Sequence, residues 1–177
     1  EEPVAGDFAP EYPSRRQAFN PGSYAIVPRG PVVDGAFTLK VTIWPTQPGS
    51  GAQVVFFAGG VELKLDETGA LAARFGTETI STHAPREARK WHTIKRMHDP
   101  ATGQSELICL PHDIWAENVH ATQQLTPWSF DAEQPVTIAA GLRDGEADLH
   151  FNGKIEAPEI LSGDRAAAHW NFARDTP

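Results

Sequence analysis

The chain has 177 residues, 40% of them hydrophobic and 21% charged, and its 23 acidic and 15 basic side chains leave a formal net charge of −8. A length close to that of many single β-sandwiches, roughly 200 residues, indicates one domain, large enough to bury about 70% of its unfolded surface without a disulfide or metal. The acidic balance excludes nucleic acid and anionic membranes as natural partners, which need a positive field, and no apolar run approaches the ~20 residues that span a bilayer.

Residues 1–23 carry Pro3, Pro10, Pro13 and Pro21 with little periodicity and read as an irregular arm, because proline removes a backbone donor and fixes φ. The opening Glu1-Glu2-Pro3, with no methionine, reads as a piece of something longer in preference to a processed start. Strand signals begin with Phe37, Leu39, Val41 and Ile43 alternating with Thr38, Lys40 and Thr42, which puts four apolar side chains on one face. Pro45 and the run Pro48-Gly49-Ser50-Gly51 end that strand. Val54 to Ala58 is continuously apolar and fits a central strand buried on both faces. Gly59-Gly60 turns the chain into alternating Val61, Leu63 and Leu65, and Glu67-Thr68-Gly69 leads into a strand over 71–75.

The stretch 91–110 predicts a β-hairpin: Trp91 at the entry, a strand, the loop Asp99-Pro100-Ala101-Thr102-Gly103, then a second strand. Gly103 supplies the positive φ that such a loop needs. Cys109, the single cysteine, lies in that second strand and reads as a small buried hydrophobe rather than a reactive thiol. Freedom from disulfides favours a reducing, cytoplasmic setting, although a well-cored secreted domain does without them too. Residues 111–134 read as irregular, 135–141 as a strand, and 147–151 and 154–160 as two more after the Arg143-Asp144-Gly145-Glu146 turn; only 164–170 could form a short helix. Ten or more short strands, spaced by roughly 8–12 residues, predict an all-β, two-sheet antiparallel sandwich. No internal repeat points to a solenoid or propeller.

The order Trp91-His92, the Asp99–Gly103 hairpin, Thr137-Ile138-Ala139-Ala140-Gly141 and Phe151-Asn152-Gly153-Lys154-Ile155 resembles the laminin-G-like, concanavalin A-type jelly rolls over 24–161, with 162–177 as a tail leaving the sandwich. The segment from Phe151 through Pro158, followed by Ala168-His169-Trp170-Asn171-Phe172, is similar to the laminin-G-like segment of the N,N-dimethylformamidase large subunit, with Asn171 where an Asp is expected. That family hydrolyses a small amide with iron held by tyrosines and a carboxylate. The resemblance puts those ligands beyond this tail, and nothing around Tyr12 or Tyr24 matches an iron motif. It implies a non-catalytic, lectin-like accessory domain that packs on a catalytic domain or sister subunit.

Other chemistry is weaker. Glu146-Ala147-Asp148 begins the Glu-x-Asp-x-x-Glu pattern of some glycoside hydrolases, but Phe151 holds the final position, so both carboxylates read as solvent-facing turn residues. The seven histidines show no zinc spacing; His112-Asp113 and His120 read as loop residues, and His92 and His150 as strand residues. If a cation binds, calcium is the expected one, at turn residues Asp34, Asp144 and Asn152. The alternative partner is carbohydrate, stacked on Trp115 and Trp128 with Asn118, Gln123 and Gln124 nearby. Trp44 and Trp91, at strand ends, read as structural.

Overall fold

A computed structural model describes residues 23–171. The described residues form strands only: β1 (Ala25–Val27), β2 (Phe37–Pro45), β3 (Gln53–Ala58), β4 (Val61–Leu65), β5 (Ala70–Phe75), β6 (Glu78–Pro85), β7 (His92–His98), β8 (Gln104–Pro111), β9 (Val119–Gln124), β10 (Val136–Ile138), β11 (Gly141–Arg143), β12 (Glu146–Asp148), β13 (Gly153–Ser162) and β14 (Arg165–His169). With no helix among them, none is long and apolar enough to cross a membrane. The first sheet has the order β1-β10-β3-β4-β5-β6, the second β14-β13-β2-β7-β8-β9, and β11-β12 is a separate hairpin.

Alternation sets the inner faces. Phe37, Leu39, Val41 and Ile43 of β2 are at most 2% exposed, and they meet Phe56, Ala58, Val61, Leu63 and Leu65 of the facing sheet in one core. The predicted β2, β3, β4, β5 and hairpin strands therefore stand within a residue or two of where the pattern puts them. Burying an aliphatic side chain of this kind contributes roughly 1.5–3 kcal/mol. Cys109 lies fully buried in that core, where burial raises its thiol pKa, with Arg86 acting in the opposite sense.

Several elements differ from the pattern. The strand expected over 135–141 stops at Ile138, where Ala139 takes φ +67°, and β11 begins only at Gly141; the one expected over 147–151 is β12, so His150 lies outside it, in an isolated bridge to Val54. β6 carries no clean apolar alternation, since only Ile80 of its eight residues is buried; pairing with β5 holds it in place. β9 lies within the stretch expected to be irregular and forms because β8 offers it an edge. Residues 165–169, expected in a helix, pair with β13 as the strand β14, so the alanine run yields its helix preference to backbone partners across the sheet edge. The sandwich thus extends to His169, beyond the 161 boundary. The arm 1–22 and residues 172–177 lie outside the described residues.

Two glycines do different work. Gly103 has φ +78° and closes the β7–β8 turn, its N–H donating to Asp99 O at 2.7 Å. Asp99 locks the same loop, accepting from Ala101 N–H at 2.9 Å and from the Thr102 hydroxyl at 2.8 Å. Gly153 has no such φ; a Cβ there would strike Trp44 O and the Phe151 ring, so it serves close approach.

Candidate functional site

The proposed sugar patch does not assemble. Trp115 and Asn118 precede β9, while Gln123 and Gln124 close it, and its six residues extend over roughly 17 Å. Trp128 lies inside the sandwich, 9% exposed, stacked at 3.7 Å on Phe75 of the first sheet and at 4.3 Å on His98 of the second. Beyond Gln124 the chain turns inward, with Leu125 N–H donating to Gly103 O at 3.0 Å, and this carries Trp128 between the sheets. Trp128 is therefore a core residue.

Trp115 is the opposite case, 88% exposed, and its neighbour Ile114 is 86% exposed. Asp113 fixes this tip. Its Oδ1 accepts Trp115 N–H at 3.0 Å, its Oδ2 accepts Lys90 Nζ at 3.1 Å, and its carbonyl accepts Ala116 N–H at 3.1 Å. Lys90 also reaches Glu87 at 2.7 Å. The Asp113 carboxylate is held below its usual pKa by the Trp115 amide and Lys90, and the Lys90 ammonium is raised by Glu87 and Asp113. At the same end of the sandwich Lys154 lies over the Trp44 ring at 5.0 Å, and His112 Nε2 meets Thr93 Oγ1 at 2.9 Å, which in turn meets Thr42 Oγ1 at 2.9 Å. Trp44 and Trp91 are half-buried, in keeping with structural roles. Ile114 had no periodic signal in the sequence; only its place next to a loop tryptophan marks it.

A second feature was also missed. The inner face of β7 reads His92, Ile94, Arg96, His98, so three titratable side chains point into the core. Arg96 is 1% exposed, and burial lowers its pKa to about 10. Its guanidinium donates to Met97 O through Nη1 and to Ser105 Oγ at 3.3 Å through Nη2, while Nε has no partner. Burial lowers the pKa of His98 and His92, and the nearby Arg96 and Arg86 charges add to this. The strict alternation 92, 94, 96, 98 was the available signal.

Elsewhere the acids are engaged. Glu62, 8% exposed, binds Arg74 through both oxygens at 3.2 and 3.0 Å and Lys64 at 3.2 Å. Burial alone would raise its pKa, but Arg74 and Lys64 outweigh that and hold it low. Asp148 pairs with Arg143 at 3.0 Å and Glu146 is exposed, as expected of residues beside a turn; His120 pairs with Glu106 at 3.3 Å on β9. The calcium set does not converge. Asp34 binds Ser162 near the start of β2, at 3.1 Å, whereas Asn152 N–H donates to Gln53 Oε1 at 2.8 Å and its carbonyl accepts Thr46 N–H beyond the far end of the same nine-residue strand. Asp144 is at the tip of the β11–β12 turn. No group of three or more His, Cys, Asp or Glu among the described residues could hold a metal ion. Nor do these residues supply a tyrosine–carboxylate set for iron: Tyr24 packs on His150 at 5.4 Å, and Tyr12 lies outside them.

Fold comparison follows from this geometry. Among solved structures, the laminin α2 LG1-3 region superposes with a TM-score of 0.61 at 11% identity, covering 84% of this chain and 30% of that one. A Bacteroides ovatus protein, described as a candidate carbohydrate-binding protein, superposes at 0.67 with 13% identity, over 89% of this chain and 52% of that one. The fold is a laminin-G-like jelly roll. No family profile matches the chain. In sequence, this laminin-G-like chain is similar to the N,N-dimethylformamidase beta subunits of an Alcaligenes species, at 26% identity, and of Paracoccus aminophilus, at 27%. Each match takes in 98% of the chain, which spans 29% of the length of those relatives.

Proposed function

We propose that this laminin-G-like chain is a non-catalytic, lectin-like interaction domain that serves an N,N-dimethylformamidase-like amidohydrolase, packing on its catalytic part or a sister subunit. The observation that carries this reading is the scale of the sequence match: nearly the whole chain corresponds to under a third of each relative. Assayed alone, the 177 residues should release no dimethylamine from N,N-dimethylformamide, whereas the longer polypeptide that carries them should. Turnover by the chain alone would sink the accessory reading; a carrier inert toward dialkylamides would sink the amidohydrolase one.

A second reading, an independent carbohydrate-binding module, is favoured by one observation: Trp115 is almost fully exposed and Asn118, also exposed, stands three residues on. A glycan array probed with the purified chain, in calcium and again in EDTA, tests it. Binding that Trp115→Ala abolishes would establish the module, and its loss in EDTA would bring calcium back. A blank array in both buffers removes this reading.

A further inference from the structure

We propose that the Ile114–Trp115 tip is a preformed docking knob that inserts into an apolar pocket on a different protein surface, the catalytic portion of the larger assembly. The proposal rests on the accessory-domain reading. Ile114 and Trp115 are two large apolar side chains in succession, each more than four-fifths exposed, on one loop between β8 and β9. Single exposed hydrophobes are ordinary; a contiguous pair on a projecting, held turn is the anatomy of an interface anchor. Asp113 holds the turn by three hydrogen bonds and ties it through Lys90 to Glu87, so little conformational freedom remains to be lost on docking.

Three occupants compete, and the neighbouring chemistry separates them. A saccharide needs free hydrogen-bonding groups beside the ring. Here both Asp113 oxygens are engaged, Lys90 is shared between two carboxylates and His112 Nε2 is bonded to Thr93, which leaves Glu117 and Asn118, two and three residues past Trp115, as the open polar side chains of this loop. Ile114, as exposed as the tryptophan, has nothing to offer a sugar hydroxyl. A second copy of this chain carries the same net charge of −8, so the two copies repel one another. A heterologous protein surface with an apolar pocket fits the apolar pair without that repulsion. The relatives, more than three times the length of the matched segment, have ample chain to supply such a surface.

Hydroxyl-radical footprinting read by mass spectrometry tests this on the free 177-residue chain and on the native assembly that carries it. Trp115 should oxidise at least tenfold more slowly in the assembly, and the double variant I114S/W115S should weaken assembly tenfold or more. Thermal unfolding of the free variant should match the parent, because the tip buries nothing within the domain. Equal oxidation of Trp115 in both states overturns the proposal, as does normal assembly by the variant. So does Trp115-dependent binding to an oligosaccharide array, to vesicles of anionic phospholipid, or to a second copy by light scattering. Protection of Trp115 in an assembly without amide hydrolase activity would leave the knob standing and remove only the amidohydrolase reading.

Discussion

His98 lies flat on Trp128, their ring centroids 4.3 Å apart and their planes 15° from parallel, while its Nε2 bonds the carbonyl oxygen of the same tryptophan at 3.1 Å. A carbonyl only accepts, so Nε2 carries the proton and Nδ1 accepts from the Ser105 hydroxyl at 2.8 Å. One neutral imidazole thereby joins β7, β8 and the 125–130 segment, and Phe75 on the other face of Trp128 extends the stack into the opposite sheet.

That arrangement predicts acid lability. Burial and the Arg96 charge depress the His98 pKa, so the unfolded chain binds a proton at a higher pH than the folded one. Stability is therefore complete above the ordinary histidine pKa of about 6.5 and falls as pH drops below it toward the folded value. His92, depressed for the same reason, contributes in the same window. Tm measured from pH 8 to 5 should decline, and His98→Gln should flatten the slope; an unchanged slope would refute the assignment.

Arg96→Met is expected to leave stability unchanged or to raise it. A buried guanidinium with no carboxylate among its hydrogen-bond partners and an unpaired Nε bears a desolvation cost that an apolar side chain of similar length avoids. By analogy with buried ion pairs replaced by hydrophobes, the gain should be up to about 1–4 kcal/mol. Urea denaturation gives the answer directly, and a loss above 2 kcal/mol would mean that the Arg96 hydrogen bonds to Met97 and Ser105 outweigh desolvation.

The two tryptophans of the 111–134 stretch should behave oppositely. Trp128→Ala empties a site walled by Phe37, Phe75, His98 and other core residues and should cost about 3–5 kcal/mol. Trp115→Ser should fall within roughly 0.5 kcal/mol of the parent, because the side chain is 88% exposed. Paired denaturation curves decide it; equal costs would contradict the placement of one ring inside and the other outside.

Gly103→Ala should destabilise by about 1–3 kcal/mol. The residue sits at φ +78°, and an added Cβ would run into the carbonyl oxygen of Leu125, whose N–H already bonds Gly103 O at 3.0 Å. Because the clash would loosen the chain leading to Trp128, hydrogen exchange should rise in β8 and the 125–130 segment first. Uniform exchange across both sheets would argue for a global effect instead.

Much of this architecture is written locally. A period of two marks β2 and β4, a continuous apolar run marks β3, and Asp99 with Gly103 marks the hairpin, because inner and outer faces alternate along any strand that has one side buried. The sandwich class and the burial of Cys109 follow from those same short-range patterns. Edge strands leave no such trace. β6, β9 and β14 have few buried side chains, and what makes them strands is a single pairing with the strand just before each, β5, β8 and β13, which their own residue pattern does not record.

The same distinction governs the candidate site. Sequence proximity grouped Trp115 with Trp128, but the inward turn at Leu125 sends one ring into the core while Asp113 holds the other in solvent. Asp34 and Asn152 both looked like turn ligands, yet β2 separates them by its whole length. Residue type and alternation determined by themselves that this chain would close into two sheets. Only tertiary packing decided which aromatic rings fill the core and which remain to meet a partner, because that choice depends on where chain-distant segments cross.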